Sequence, residues 1–244
     1  MADKVEDLKR RIDYNKVTLK WLNARGFTTE EINWYTQQEK LNCTKDLLKI
    51  LKNTNPHWCI KLMICLMDVD KKKEYAARCV DASFIQEVIK GMVKQAITLP
   101  SKILEAVKTE ASTVELLELS YKAERAITKG FDHTLFLSAY FASTYRTLSC
   151  LALLEVETRK YYTPEKVLDR QRTPSIMTDI YAYEVLKYSA VFGTTAVMDI
   201  GFHILGYYDL MSSNRIKPGW GKMSIEQARK LLSQRVIDGV DPTK

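Results

Sequence analysis

The chain has 244 residues, of which 46% are hydrophobic, 27% charged and 10% aromatic. Nine Gly and six Pro are too few for a collagenous or low-complexity chain or a turn-rich β-sandwich, and the apolar fraction is enough to fill a core. Thirty-seven Lys+Arg against thirty Asp+Glu leave a net charge of +7, which favours an acidic partner over a basic one.

Helix signals then recur in chain order. Leu8, Ile12, Val17, Leu19 and Leu22 predict a first amphipathic helix stopped at Gly26. Thr28 with Glu31 reads as a capping box, in which the Thr hydroxyl takes the Glu31 amide and the Glu31 carboxylate reaches back. Leu47, Leu48 and Leu51 repeat at helical spacing, and Pro56 opens an apolar helix through Met67. Asp68-Val69-Asp70 is a turn or N-cap before a helix predicted over 71–89 and closed by Gly91. Pro100 opens the next helix, and Ser112 with Glu115 repeats the capping box ahead of a helix ending at Gly130.

Residues 132–160 form the longest helical pattern, and its small residues Ala142, Ser143 and Ser149 allow a neighbouring helix to approach closely. Thr163-Pro164 and Thr173-Pro174 are further helix starts, the second leading into a helix over 176–191. Gly193, Gly201 and Gly206 punctuate an apolar segment that is therefore broken or tightly packed. A loop over 213–221 precedes a last helix capped by Ser224 and Gln227. No turn-bounded alternating run survives as a strand. The expectation is an all-α bundle of roughly ten to twelve helices of ordinary length, with no sheet. If two units exist they divide into 1–91 and 92–244; a single merged bundle is preferred because no Ser/Gly/Pro-rich linker is present.

Other function classes lose support from what the letters lack. The N-terminus has no apolar leader, and no apolar run is long enough to cross a bilayer of about 30 Å. The five cysteines are odd in number with no C-x-x-C, as expected of free thiols in a reducing cytoplasm. His57, His133 and His203 share no metal-ligand spacing, and no phosphate-cradling Gly motif or nucleophile elbow occurs. His203, in an apolar run, reads as a hydrogen-bonded core residue. The expectation is a non-enzymatic protein without metal or cofactor.

The chemistry that remains is basic and aromatic. Residues 213–244 carry seven bases against three acids, including Arg215, Lys217 and Lys222, and Lys71, Lys72 and Lys73 form a second basic run. Thirteen Tyr offer apolar bodies with polar tips suited to core margins and binding surfaces. The candidate ligand-binding set is Lys71, Lys72, Lys73, Tyr140, Arg146, Arg172, Arg215, Lys217 and Lys222. Together they would form a basic, tyrosine-bearing cleft that stacks a base or holds an acidic group.

The N-terminal seventy or so residues carry a further pattern. Trp21-Leu22, Gly26, Glu31-Ile32 with Trp34-Tyr35, and Gln38 are followed by Leu47, Leu48 and Leu51. Trp58 then starts an apolar helix to Met67-Asp68, ahead of Tyr75-Ala76-Ala77 and Cys79. This resembles an all-helical immunity-protein family of phages and bacteria. The resemblance implies a cytoplasmic protein that neutralises a toxin or defence effector, or sequesters an acidic nucleotide signal. The family's usual Ala-rich helix is replaced here by the segment over 76–88, and residues 100–244 have no counterpart in it.

A second resemblance is to the RNA-coating nucleoproteins of segmented negative-strand RNA viruses. It rests on Thr173-Pro174-Ser175-Ile176 and on Arg215-Ile216-Lys217-Pro218, followed by Lys222 and Glu226; that family's Arg-Gly-Asn-Lys segment is absent. It implies an RNA-binding module. A structural virion component is the third alternative, and a homo-oligomer is compatible with all three.

Overall fold

The computed structural model describes residues 17–38, 44–83, 85–94, 98–128, 135–161 and 176–212. Within them lie eleven α-helices, one short 3-10 turn and no strand, so the chain is an all-α bundle. No helix among the described residues is long and apolar enough to cross a membrane.

The N-terminal helices are set by their caps. Helix α1 (Leu19–Ala24) starts where the Thr18 hydroxyl accepts the Trp21 amide, and it turns out of the helix at Gly26, whose φ of 68° suits a residue without a side chain. Helix α2 (Thr29–Gln37) begins with the expected capping box. The Glu31 amide donates to Thr28 Oγ1 at 3.2 Å and the Thr28 amide donates to Glu31 Oε2 at 2.6 Å. Helix α3 (Thr44–Thr54) buries Leu47, Leu48 and Leu51. Asn55 then caps α4 (Pro56–Leu66) by accepting the Trp58 amide, with Pro56 in the first turn. Asp68 caps α5 (Val69–Ala82) in the same way, through the Lys71 amide at 2.9 Å.

The single helix expected over 71–89 is two helices. Ser83 adopts an extended backbone, its hydroxyl donates to Val80 O and accepts the Ile85 amide, and α6 (Ile85–Lys94) restarts there. The Ser83 hydroxyl engages backbone groups on both sides of the break and so favours it. Gly91 does not end α6, which runs on past it. Helix α7 (Leu99–Lys108) holds Pro100 in its first turn, and α8 (Thr113–Thr128) starts where the Glu115 amide donates to Ser112 Oγ. Its expected end at Gly130 lies outside the described residues.

Helix α9 (Leu135–Arg159), α10 (Ile176–Ala190) and α11 (Thr194–Leu205) complete the bundle, followed by the turn Tyr208–Leu210. Helices α9 and α10 form an antiparallel hairpin, since Tyr140 meets Phe192 at 5.3 Å and Arg146 meets Tyr188 at 5.4 Å. On its other side α9 approaches α8 through small residues, with the Ser120 and Ser149 hydroxyls 2.8 Å apart in the interior. Helix α10 is surrounded by α4, α5, α9 and α11. One hydrophobic core cluster extends from Leu22 to Leu210, and Ile85, Val88, Ile89 and Met92 belong to it.

Helix α11 crosses closely over α5. A side chain added at Gly201 would lie 2.6 Å from Tyr75 Oη and 2.8 Å from Met63 Sδ. The fully buried Tyr75 hydroxyl donates to Val197 O at 2.6 Å. The glycine therefore marks tight packing, one of the two outcomes its sequence context allowed. The loop over 213–221 and the last helix lie outside the described residues.

Candidate functional site

The three consecutive lysines do not form one patch, because successive helical residues point about 100° apart. Lys71 is surface-exposed and lies 3.8 Å from Asp68, the cap of its own helix. Lys73 is half-buried and pairs with Glu155 of α9 at 2.8 Å. Lys72 is 0% exposed and its ammonium meets Asp179 of α10. As a surface ligand residue Lys72 is thus corrected: it is an interior counter-ion.

Asp179 is shared. Its other oxygen accepts from Arg25 Nη1 at 3.3 Å, and Arg25 also lies over the Trp21 ring at 5.3 Å. Beside this pair Lys61 reaches Glu31 Oε2 at 2.6 Å and Gly26 O at 3.4 Å, with its ammonium 4.5 Å from the centre of the Phe27 ring. The result is an internal clasp joining α1, α2, α4, α5 and α10. It satisfies charge inside the fold and leaves these cations committed. A second clasp runs from Lys73 through Glu155 to Arg159, whose Nη1 donates to Ala111 O at 2.6 Å.

Tyr140 is also closed off from solvent, packed against Phe192. Arg172, Arg215, Lys217 and Lys222 lie outside the described residues, as do both short segments on which the nucleoprotein resemblance rests, apart from Ile176. His203, expected in the core, is exposed and meets Tyr208 edge-on at 5.2 Å. Residues Val197 to Phe202 before it are all buried, and His203 is where α11 emerges from the core.

Of the expected set, Arg146 remains on the surface in a constructed setting. Its guanidinium lies 5.4 Å from the Tyr188 ring centre, and the ammonium of Lys187 lies 5.3 Å from the same ring. Tyr188 is half-buried on α10, and Glu184, one turn before it, sits 3.6 Å from Lys187. Burial first and Glu184 second raise the Tyr188 phenol above its ordinary value, so it stays neutral and can donate. His57 of α4 lies within range of the Lys187 charge. Burial first and Lys187 second lower its pKa below the usual 6.5, so the ring is neutral at pH 7.

The half-buried Cys150 feels Glu184, Arg146 and Lys187, but burial pushes its thiol up to about 12, which removes it as a nucleophile. Among the described residues no group of three His, Cys, Asp or Glu could hold a metal ion.

Lys187 and Tyr188 were not joined to Arg146 by sequence reasoning. The available signal was the adjacency of a Lys and a Tyr on one helix, but the register that sets them opposite Arg146 is a property of the folded hairpin. The arrangement sets two cations at 5.4 and 5.3 Å from the centre of one neutral aromatic ring, and together they can neutralise an anion placed beside them. No protein-family model, curated protein or solved structure matches this chain.

Proposed function

We propose that the chain is a non-enzymatic helical binding protein for an acidic, phosphate-bearing guest, held at the surface formed by Arg146, Lys187 and Tyr188. The observation that carries this reading is the pair of cations on one half-buried tyrosine ring, at 5.4 and 5.3 Å. Adjacent cations engage phosphate. In the setting expected of an immunity-type protein of phage or bacterial origin, the guest is a signalling nucleotide kept from its effector. The RNA-coating reading uses the same chemistry on a strand, and the test separates the two.

The protein is melted with a panel of cyclic and ADP-ribose-type mononucleotides and, separately, with single-stranded RNA. A ligand at about 100 times its Kd adds roughly 2.7 kcal/mol of stability. Arg146→Ala or Lys187→Ala, each removing a charge-assisted contact of about 1.5–3 kcal/mol, weakens binding by at least tenfold. An anion against Lys187 offsets the charge that lowers His57, so the His57 titration followed by NMR moves up in pH when the site is filled.

RNA binding falls steeply with salt, by about 0.7 log units per log salt for each phosphate engaged; a mononucleotide gives a shallow slope. A protein indifferent to every member of the panel and to RNA, or a His57 midpoint unmoved by a bound ligand, overturns the reading.

A further inference from the structure

Helix α8 turns an apolar stripe to solvent. Val114 is 66% exposed, Leu117 44% and Tyr121 63%. Its opposite side buries Leu116, Leu119, Ser120 and Ala123 against the bundle. At about 100° per residue, Val114, Tyr121 and Arg125 fall within about 40° of one another around the axis, in the middle of the exposed face. Arg125 lies 5.7 Å from the Tyr121 ring centre and extends the stripe toward the C-terminal end.

The flank beside the stripe is acidic toward the N-terminus, at Glu115 and Glu118, and basic toward the C-terminus, at Lys122. Glu118 and Lys122 lie 3.6 Å apart on the same helix, both more than half exposed.

That order of charges is self-complementary. When two copies of a helix pack antiparallel about a two-fold axis, each flank faces its own counterpart in reverse order. With the axis at the level of Ser120, Glu118 of one copy faces Lys122 of the other, twice by symmetry. Glu115 then stands at the level of Arg125. The two Tyr121 rings meet beside the axis, and the Arg125 stems cover Val114. A parallel pairing would turn this flank toward the opposite flank of the partner, lose the Glu118–Lys122 cross-pairs and align the two helix dipoles in the same sense.

We propose that the exposed face of α8 docks on the same face of a second copy of this chain, antiparallel, with Tyr121 at its centre. This goes beyond the proposed ligand surface and does not depend on it. A contact confined to one helix falls short of the ~1,600 Å² of a standard interface, so the dimer is concentration-dependent.

The test is sedimentation equilibrium of the full chain from low micromolar to near-millimolar concentration, with circular-dichroism melts as the folding control. The wild type is expected to pass from monomer to dimer over that range. Tyr121→Glu, which sets two carboxylates beside the axis, is expected to stay monomeric with an unchanged melting temperature. Glu118→Lys alone and Lys122→Glu alone each replace two attractive pairs by repulsive ones and weaken the dimer about tenfold. Glu118→Lys together with Lys122→Glu restores it.

The charge pair keeps the test decisive even if Tyr121→Glu perturbs folding. A wild type that stays monomeric throughout, including one that captures a foreign protein on this face, overturns the proposal. So does a dimer indifferent to these substitutions, or one that the double exchange does not restore.

Discussion

At the level of single residues, Gly201 decides how closely α11 can lie on α5. A methyl group there meets Tyr75 Oη at 2.6 Å and Cζ at 2.7 Å, and Tyr75 cannot swing away because it is buried and tied to Val197 O. Gly201→Ala is therefore expected to destabilise by about 1–3 kcal/mol through overpacking, against the usual gain in helix propensity. Tyr75→Phe loses one buried hydrogen bond, about 1 kcal/mol. It also removes the atom nearest the new methyl, so the double variant is expected to cost less than the two single costs added together. Chemical denaturation of the four proteins measures that coupling.

The glycine was visible in the sequence as an anomaly in an apolar helix, but which residue it made room for was not. Tyr75 and Gly201 are brought together only by the crossing of two helices.

At the level of helices, local signals were the most legible part of the chain. Thr28 with Glu31, and Asp68, cap the helices they were expected to start, and Pro56 stands in the first turn of the helix it was expected to open, because such signals are decided within four residues. The break at Ser83 was missed for the complementary reason: apolar periodicity continues across it, and only the serine hydroxyl marks the restart.

The run Lys71-Lys72-Lys73 carried no sign of which lysine goes inside, since that depends on Asp179 a hundred residues on. Substitution separates them. Lys71→Ala is expected to change stability by less than about 1 kcal/mol, as for other exposed pairs. Lys73→Ala is expected to cost about 1 kcal/mol, with Glu155 still held by Arg159. Lys72→Ala leaves Asp179 with Arg25 alone in the interior and is expected to cost about 3–5 kcal/mol. Lys72→Met with Asp179→Leu is expected to recover most of that loss. Urea midpoints of the variants, read at constant slope, give the order directly.

For the molecule as a whole, burial sets the thiol chemistry. It pushes Cys59 and Cys65 up from 9.0 to about 12 and holds Cys79 well above its ordinary value. Together with Cys150, these four are expected to resist iodoacetamide in the native protein at pH 8 and to react in full once the chain is unfolded. Peptide mapping by mass spectrometry reads each site separately.

The same shifts fix a direction with pH. A thiol whose folded pKa is raised favours the folded state below its unfolded value, and that contribution fades as pH climbs past about 9 toward the folded value. The Tyr183 phenol, raised to about 12 by burial and then by Glu184, acts in the same sense. The protein is thus expected to lose stability steadily above pH 9, and a melting temperature that stays level to pH 11 would contradict it.

The position of α10 has a consequence for how the chain is made. The core that runs from Leu22 onward is complete only when Ile176–Ala190 lies against α4, α5 and α9, so the earliest helices to leave the ribosome pack on one another but lack the helix that closes them into one core. Until residue 179 has been added, the nascent polypeptide also holds an ammonium at position 72 with no counter-ion for its interior site. Fragments released early are expected to remain open and to depend on chaperones, and folding is completed late in translation.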